Sequence, residues 1–189
     1  MSSLSDGAGD SLEASLRPGE TLALVALGAN LGDRLASLRG AVEAIGRLDG
    51  VRVLFQSSVF DTAPVGPPDQ PRYLNAALAL ASALDARALL HELLAIEAAL
   101  GRSRGETRWT ARTIDLDLVL FGECVLQDGD LEIPHPRFRE RAFVLLPLAE
   151  IAGSVRDPVT GERVESLLRA CPGRSDAVRV GPLDAAFSH

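Results

Sequence analysis

The sequence predicts an α+β domain in which an antiparallel sheet carries two helices on one face, with an extra hairpin and C-terminal helices added. Three observations carry this. Short apolar, β-branched or alternating runs suited to strands fall at residues 21–27, 51–60, 73–83 and 113–121. Two stretches with leucine, isoleucine or valine at steps of three and four, suited to helices, fall after the first run and after the third. The resulting order, β-α-β-β-α-β, is the ferredoxin-like arrangement.

In chain order, residues 1–20 are rich in Ser, Gly, Asp and Ala with no sustained period, and read as a disordered tail. A single domain is expected over 21–171, with 172–189 as a C-terminal extension that carries no chemical signal. The first strand runs into Gly28-Ala29-Asn30-Leu31-Gly32-Asp33, a turn with Asp33 as N-cap of a helix whose apolar stripe is Leu35, Leu38, Val42, Ile45 and Leu48. Asp49-Gly50 stops that helix. The turn lacks both the Gly-x-Gly-x-x-Gly and the Lys-Ser/Thr patterns, so it reads as a tight strand-to-helix connection and not as a phosphate loop.

Between the second and third strands, residues 61–72 hold four prolines. A loop so stiffened is either a binding wall or a rigid spacer. At its end Tyr73 and Asn75 share one strand face, an aromatic plane beside an amide. Asp85 caps a second helix with the stripe Leu89, Leu93, Ile96 and Leu100, closed by Gly101. His91 and Glu97 lie off that stripe, and Glu97 stands one turn before an arginine-rich loop, where it is either solvated or reaches a site.

That loop leads into the most informative stretch, residues 102–121. From Thr113 polar and apolar residues alternate, so Thr113, Asp115 and Asp117 share one strand face and Ile114, Leu116 and Leu118 the other. Carboxylates two residues apart on a strand sit roughly 7 Å from each other, a spacing that lets them hold hard cations jointly. Alone, Asp-x-Asp more often marks a half-exposed edge strand with solvated aspartates. The arginines just upstream, in the loop, have the forked geometry that suits the phosphates such metals carry. Residues 122–133 form a hairpin turning at Asp128-Gly129, after which Pro134-His135-Pro136-Arg137 clamps a histidine between prolines. Helices are expected over 142–151, despite Pro147, and over 164–170.

Composition narrows the function. At 189 residues with a formal charge of −7, the chain does not coat nucleic acid through its overall field. All 19 basic residues are arginine, which excludes lysine Schiff-base chemistry and a P-loop lysine. Cys124 and Cys171 have no metal-like spacing and read as thiols in a reducing compartment. No apolar run is long enough for a membrane span, no signal-peptide pattern opens the chain, and a cytoplasmic location is expected. A ferredoxin-like sheet could also serve as an RNA-binding module, but no aromatic-rich strand of that kind is present. A metal-dependent phosphohydrolase using Asp115 and Asp117 is a second alternative.

Four motifs taken together closely resemble the hydroxymethyl-dihydropterin pyrophosphokinase family of folate biosynthesis. They are Leu27-Gly28-Ala29-Asn30-Leu31-Gly32-Asp33-Arg34; Thr62-Ala63-Pro64-Val65-Gly66 with Tyr73-Leu74-Asn75-Ala76; Arg108-Trp109-Thr110-Ala111-Arg112-Thr113-Ile114-Asp115-Leu116-Asp117; and Pro134-His135-Pro136-Arg137 with Arg141-Ala142-Phe143. The resemblance implies transfer of pyrophosphate from ATP to the hydroxymethyl group of a reduced pterin, releasing AMP. It implies two Mg²⁺ ions on Asp115 and Asp117, and phosphate contacts from Arg102 and Arg112. ATP contacts are implied for Glu97, His135, Arg141 and Trp109, the last in a loop that closes over the site. The pterin is implied to meet Thr62, Val65, Tyr73, Asn75, Trp109 and Phe143. Leu94 and Pro136 depart from the family, standing where some members carry glutamine and tyrosine. The expected partners are ATP and the pterin, with no nucleic acid or membrane, and the expected state is a monomer.

Overall fold

A computed structural model of the chain describes residues 7–64, 70–101, 113–173 and 176–183, with side chains from residue 11 onward. The elements are α1 (Gly7–Ala14), β1 (Thr21–Ala29), α2 (Arg34–Gly46), β2 (Val51–Gln56), β3 (Ser58–Thr62), β4 (Tyr73–Ser82), α3 (Ala86–Ala99), β5 (Asp115–Phe121), β6 (Leu126–Asp128), β7 (Leu131–Ile133), α4 (Ala142–Ala152), α5 (Val164–Ala170) and β8 (Val178–Pro182). The main sheet runs β5-β1-β4-β3-β8, with β2 also paired to β4, and its pairings are antiparallel. β6 and β7 form a separate hairpin.

β1 is apolar along nearly its whole length because both faces of the sheet are covered. Ala23, Val25, Leu27 and Ala29 face one core together with Leu38, Val42 and Ile45 of α2 and Leu89, Leu93 and Ile96 of α3. Leu22, Leu24 and Ala26 face a second core built with Leu145 and Leu148 of α4 and Leu167 of α5. The first core is the ferredoxin-like unit expected from the sequence. The later helices close the opposite face. Both long helices start as predicted: Asp33 accepts from the Ala36 N–H at 3.0 Å and Asp85 from the Ala88 N–H at 2.8 Å. α4 continues through Pro147.

Three sequence expectations need correction. Residues 7–14 are helical, not a disordered tail, because Leu12 is fully buried in the second core and supplies the tertiary anchor that so short a helix requires. The chain then docks at Glu20, whose carboxylate takes two hydrogen bonds from Arg52, at 2.7 and 3.0 Å, and one from the Arg17 N–H at 2.8 Å. The Arg52 hydrogen bond, followed by that from the Arg17 backbone, holds the Glu20 carboxyl down to about 2.

The run at 51–60 is two strands, not one, broken at the buried Ser57. Its N–H donates to the Ala77 carbonyl at 2.9 Å and its hydroxyl accepts from the Ala77 N–H at 2.8 Å, so a side chain replaces one rung of the ladder and the chain bends. Finally, the 172–189 extension contributes β8, which pairs with β3 at the sheet edge.

Candidate active site

The second face of the sheet has a packed end and an open end. At the open end the antiparallel register aligns Asp115 of β5, Gly28 of β1, Asn75 of β4 and Phe60 of β3 in one row. One row inward lie Asp117, Ala26 and Ala77, where the second core begins. The alternation in β5 does what the sequence predicts: Leu116 and Leu118 enter the first core, and Asp115 and Asp117 stay half-buried on the opposite face.

Gly28 is the floor between the carboxylates and the amide. A Cβ built there would lie 3.2 Å from Asn75 Oδ1 and 3.9 Å from Tyr73 Cδ1, so only hydrogen keeps the space clear. A glycine interrupting an otherwise apolar strand was the available signal for this close approach. Asn75 is buried and its Nδ2 donates to Thr62 Oγ1 at 2.8 Å, which fixes the amide orientation. Thr62 is also the register partner of Tyr73. Thr62, Tyr73 and Asn75 therefore stand together on two neighbouring strands.

The carboxylate end is faced by the segment leading into α4. The His135 N–H donates to the Val119 carbonyl at 2.9 Å, bringing the ring beside β5. His135 Nε2 lies 4.0 Å from Asp117 Oδ1, and an Arg141 guanidinium nitrogen lies 3.8 Å from Asp117 Oδ2. Burial, and then the nearby Arg141 charge, press the His135 pKa down to about 4 against the pull of Asp115. The ring is therefore neutral at pH 7 and its approach to Asp117 is not an ion pair. Its Nδ1 accepts from the Arg137 N–H at 3.3 Å, so the hydrogen-bond network puts the ring proton on Nε2, toward Asp117. The Arg141 guanidinium also lies 5.7 Å from the centre of the Phe143 ring, in the first turn of α4.

Glu97 is neither solvated nor loosely placed. It is 1 % exposed, and its Oε1 accepts from the Leu116 N–H at 2.6 Å, between the two aspartates. β5 is an edge strand, and α3 thus takes up one of its backbone donors. Sequence reasoning missed this tie. A cleft of about 470 Å³ runs along this edge, lined by Leu94, Glu97, Asp115, Asp117, His135 and Pro136 among others. Both departures from the family pattern, Leu94 and Pro136, line it.

The structure thus brings Asp115, Asp117, Glu97, His135, Arg141 and Phe143 into one chain of neighbours, and Thr62, Tyr73 and Asn75 into another across Gly28. Val65, Arg102, Trp109 and Arg112 lie outside the described residues. Among the described residues no group of three or more His, Cys, Asp or Glu could cage a metal. Two half-buried carboxylates on one face, beside a cleft, instead suit Mg²⁺ that completes its shell with water and substrate oxygens.

The family model described as 7,8-dihydro-6-hydroxymethylpterin-pyrophosphokinase matches residues 24–153. The chain is 45% identical over 148 residues to a 2-amino-4-hydroxy-6-hydroxymethyldihydropteridine pyrophosphokinase of Methylorubrum extorquens, covering 78% of this chain and 92% of that protein. It is 43% identical over 148 residues to the protein of the same name from Pseudomonas aeruginosa, covering 78% of this chain and 90% of the relative. Among solved structures, the wild-type HPPK-DHPS of Plasmodium falciparum with pterin and p-hydroxybenzoate superposes with a TM-score of 0.68 at 13% identity, over 85% of this chain. This chain spans 46% of that protein, and the likeness bears on the fold alone. Among the described residues no helix is long and apolar enough to cross a membrane. With the fold, the motifs and close relatives in agreement, the chain belongs to the 7,8-dihydro-6-hydroxymethylpterin-pyrophosphokinase family.

Proposed function

We propose that the open end of the second sheet face divides pyrophosphate transfer between two halves, a phosphate half at Asp115 and Asp117 and a pterin half at Thr62, Tyr73, Asn75 and Phe143. Family membership assigns the chain an enzymatic pyrophosphoryl transfer to hydroxymethyldihydropterin in folate biosynthesis, a reaction that uses ATP and is magnesium-dependent. The observation that carries the division is the row Asp115–Gly28–Asn75, which sets a carboxylate and a buried, oriented amide on either side of a residue with no side chain.

Two Mg²⁺ ions on Asp115 and Asp117 would neutralise the triphosphate and help align its β-phosphorus with the attacking hydroxyl. In the transfer the pterin hydroxyl oxygen bonds to the β-phosphorus, the bond from that phosphorus to the α,β-bridging oxygen breaks, and AMP departs with that oxygen. Asp115 is the group we assign to receive the hydroxyl proton. No histidine or lysine stands ready as a strong base among the described residues, so positioning and charge neutralisation supply most of the rate. Neutral His135 and cationic Arg141 face the nucleotide. Glu97 bears on ATP through the cleft it lines, while its carboxylate holds the β5 backbone. Arg102 and Arg112 engage the phosphates, Val65 supplies backbone contacts to the pterin, and Trp109 closes over the occupied site. We assign the protein a monomeric state and a cytoplasmic location.

Incubation with ATP, Mg²⁺ and 6-hydroxymethyl-7,8-dihydropterin is expected to yield AMP and the pterin pyrophosphate. Inorganic phosphate or ADP without AMP, under conditions where both ligands bind, would overturn this reading and favour a hydrolase.

A further inference from the structure

The loop on the pterin side leaves β3 at Thr62 and returns to β4 at Tyr73, and both of its ends are tied to the C-terminal segment. The Ala63 N–H donates to Asp176 Oδ2 at 2.9 Å. Arg72 donates to the Asp176 carbonyl at 3.0 Å, to the Asp61 carbonyl at 3.2 Å and, through Nε, to the Asp61 carboxylate. Arg34 closes the ring, donating to the Arg72 carbonyl at 2.7 Å and approaching Asp61 Oδ2 at 3.4 Å. One residue on either side of this knot are Thr62 and Tyr73, which face each other in the ladder.

Asp176 can act as an anchor because the segment behind it is itself fixed. β8 pairs with β3 through Asp61–Val178 and Phe60–Arg179. Leu183 is buried in the first core, and its carbonyl accepts from Arg39 Nε at 3.1 Å. Arg179 reaches Glu150 of α4 at 3.2 Å, and the same carboxylate accepts from the Ser58 N–H at 2.9 Å and the Ser58 hydroxyl at 2.7 Å. Single exposed ion pairs contribute little, but here backbone and side-chain bonds converge on two chain positions from a rigid strand. β8 also lies beyond the 24–153 span that the family model matches.

We infer that Asp176 is a positioning residue for the pterin-side wall: by holding Ala63, and with it the entry to the loop, it sets where Thr62 and Tyr73 stand. This rests on the assignment of Thr62, Tyr73 and Asn75 to the pterin. A defect here shifts how the pterin is held and leaves the carboxylates of β5 untouched.

The test is steady-state kinetics on Asp176→Ala and Asp176→Asn beside the wild type, with thermal melting of each. Asp176→Ala is expected to raise the KM for the pterin about three- to tenfold, the loss of one oriented hydrogen bond, with kcat, the KM for ATP and the melting temperature unchanged. Asp176→Asn keeps an oxygen that accepts from Ala63 and is expected to restore the wild-type KM. An unchanged pterin KM in Asp176→Ala, an equal rise in both KM values, or an Asn variant as impaired as the Ala variant would each overturn the inference. A wild-type enzyme that releases no AMP would instead refute the functional assignment itself, so the two failures are separable.

Discussion

The two ends of the second sheet face are built from the same three strands, β5, β1 and β4, with the β1–β5 register shifting between Leu24 and Val25, yet they do opposite things. At the packed end Leu22, Leu24, Ala79 and Val119 meet Leu145 and Leu148 of α4. At the other end, beyond the β1–β5 register shift, strand alternation delivers Asp115, Asp117, Gly28, Asn75 and Tyr73. The change occupies two rows, from Asp117–Ala26–Ala77 to Asp115–Gly28–Asn75. Strand geometry aims the side chains at both ends, and residue type alone decides whether a helix covers them or a ligand can. One end should therefore govern stability and the other chemistry.

Substitutions at each end can break that separation. Asp115→Asn is expected to lower kcat about 10²- to 10³-fold at saturating magnesium, read as AMP release, with no loss of melting temperature. Near-normal turnover would remove Asp115 from the reaction. Leu145→Ala, fully buried at the packed end, is expected to cost about 2–5 kcal/mol in denaturant unfolding while the folded fraction keeps its KM values. Gly28→Ala probes the boundary between the two ends. Its Cβ would lie 3.2 Å from Asn75 Oδ1, so the buried amide must give way, and the pterin KM is expected to rise about tenfold with a stability loss of about 1–3 kcal/mol.

The smallest effect is expected at Glu150, where α4 holds β3 and β8. Burial pushes its carboxyl up, but the bonds from Ser58 and Arg179 outweigh this and leave it below the ordinary 4.5. A carboxyl lowered in the folded state stabilises the protein fully above its unfolded value and loses that contribution as pH falls through the folded one. Glu150→Gln should therefore melt slightly below the wild type at pH 7, by less than about 1 kcal/mol for so exposed a group, and the gap should close as the pH drops below 4.5. A gap independent of pH would assign the effect to packing.

Much of this was legible in the sequence because it is local. The caps Asp33 and Asp85, the helix stripes and the β5 alternation depend on residues within a few positions of one another, and all three are found in the structure. What escaped depends on distant partners. The α1 segment carries no helical period, and its order comes from the burial of Leu12 against α4-side residues. β8 is a five-residue segment whose partner, β3, lies more than a hundred residues upstream, as in the Phe60–Arg179 pair, so nothing beside it in the chain announces a strand. The off-stripe position of Glu97 suggested solvent or substrate. Its burial follows from an edge-strand N–H that only the assembled sheet presents. Ser57 likewise interrupts a β-branched run with no local sign that its hydroxyl would stand in for a backbone acceptor.

The bond from Leu116 to Glu97 has one more consequence, and it is spectroscopic. A backbone amide held 2.6 Å from a carboxylate, in the residue between Asp115 and Asp117, should resonate well downfield and exchange slowly with solvent. Its proton is held by Glu97, which is 1 % exposed, so it is shielded from solvent. Any shift in the spacing of the two aspartates must still pass through its peptide planes. That single resonance is thus a native probe of magnesium and nucleotide arrival, readable without a label in the site.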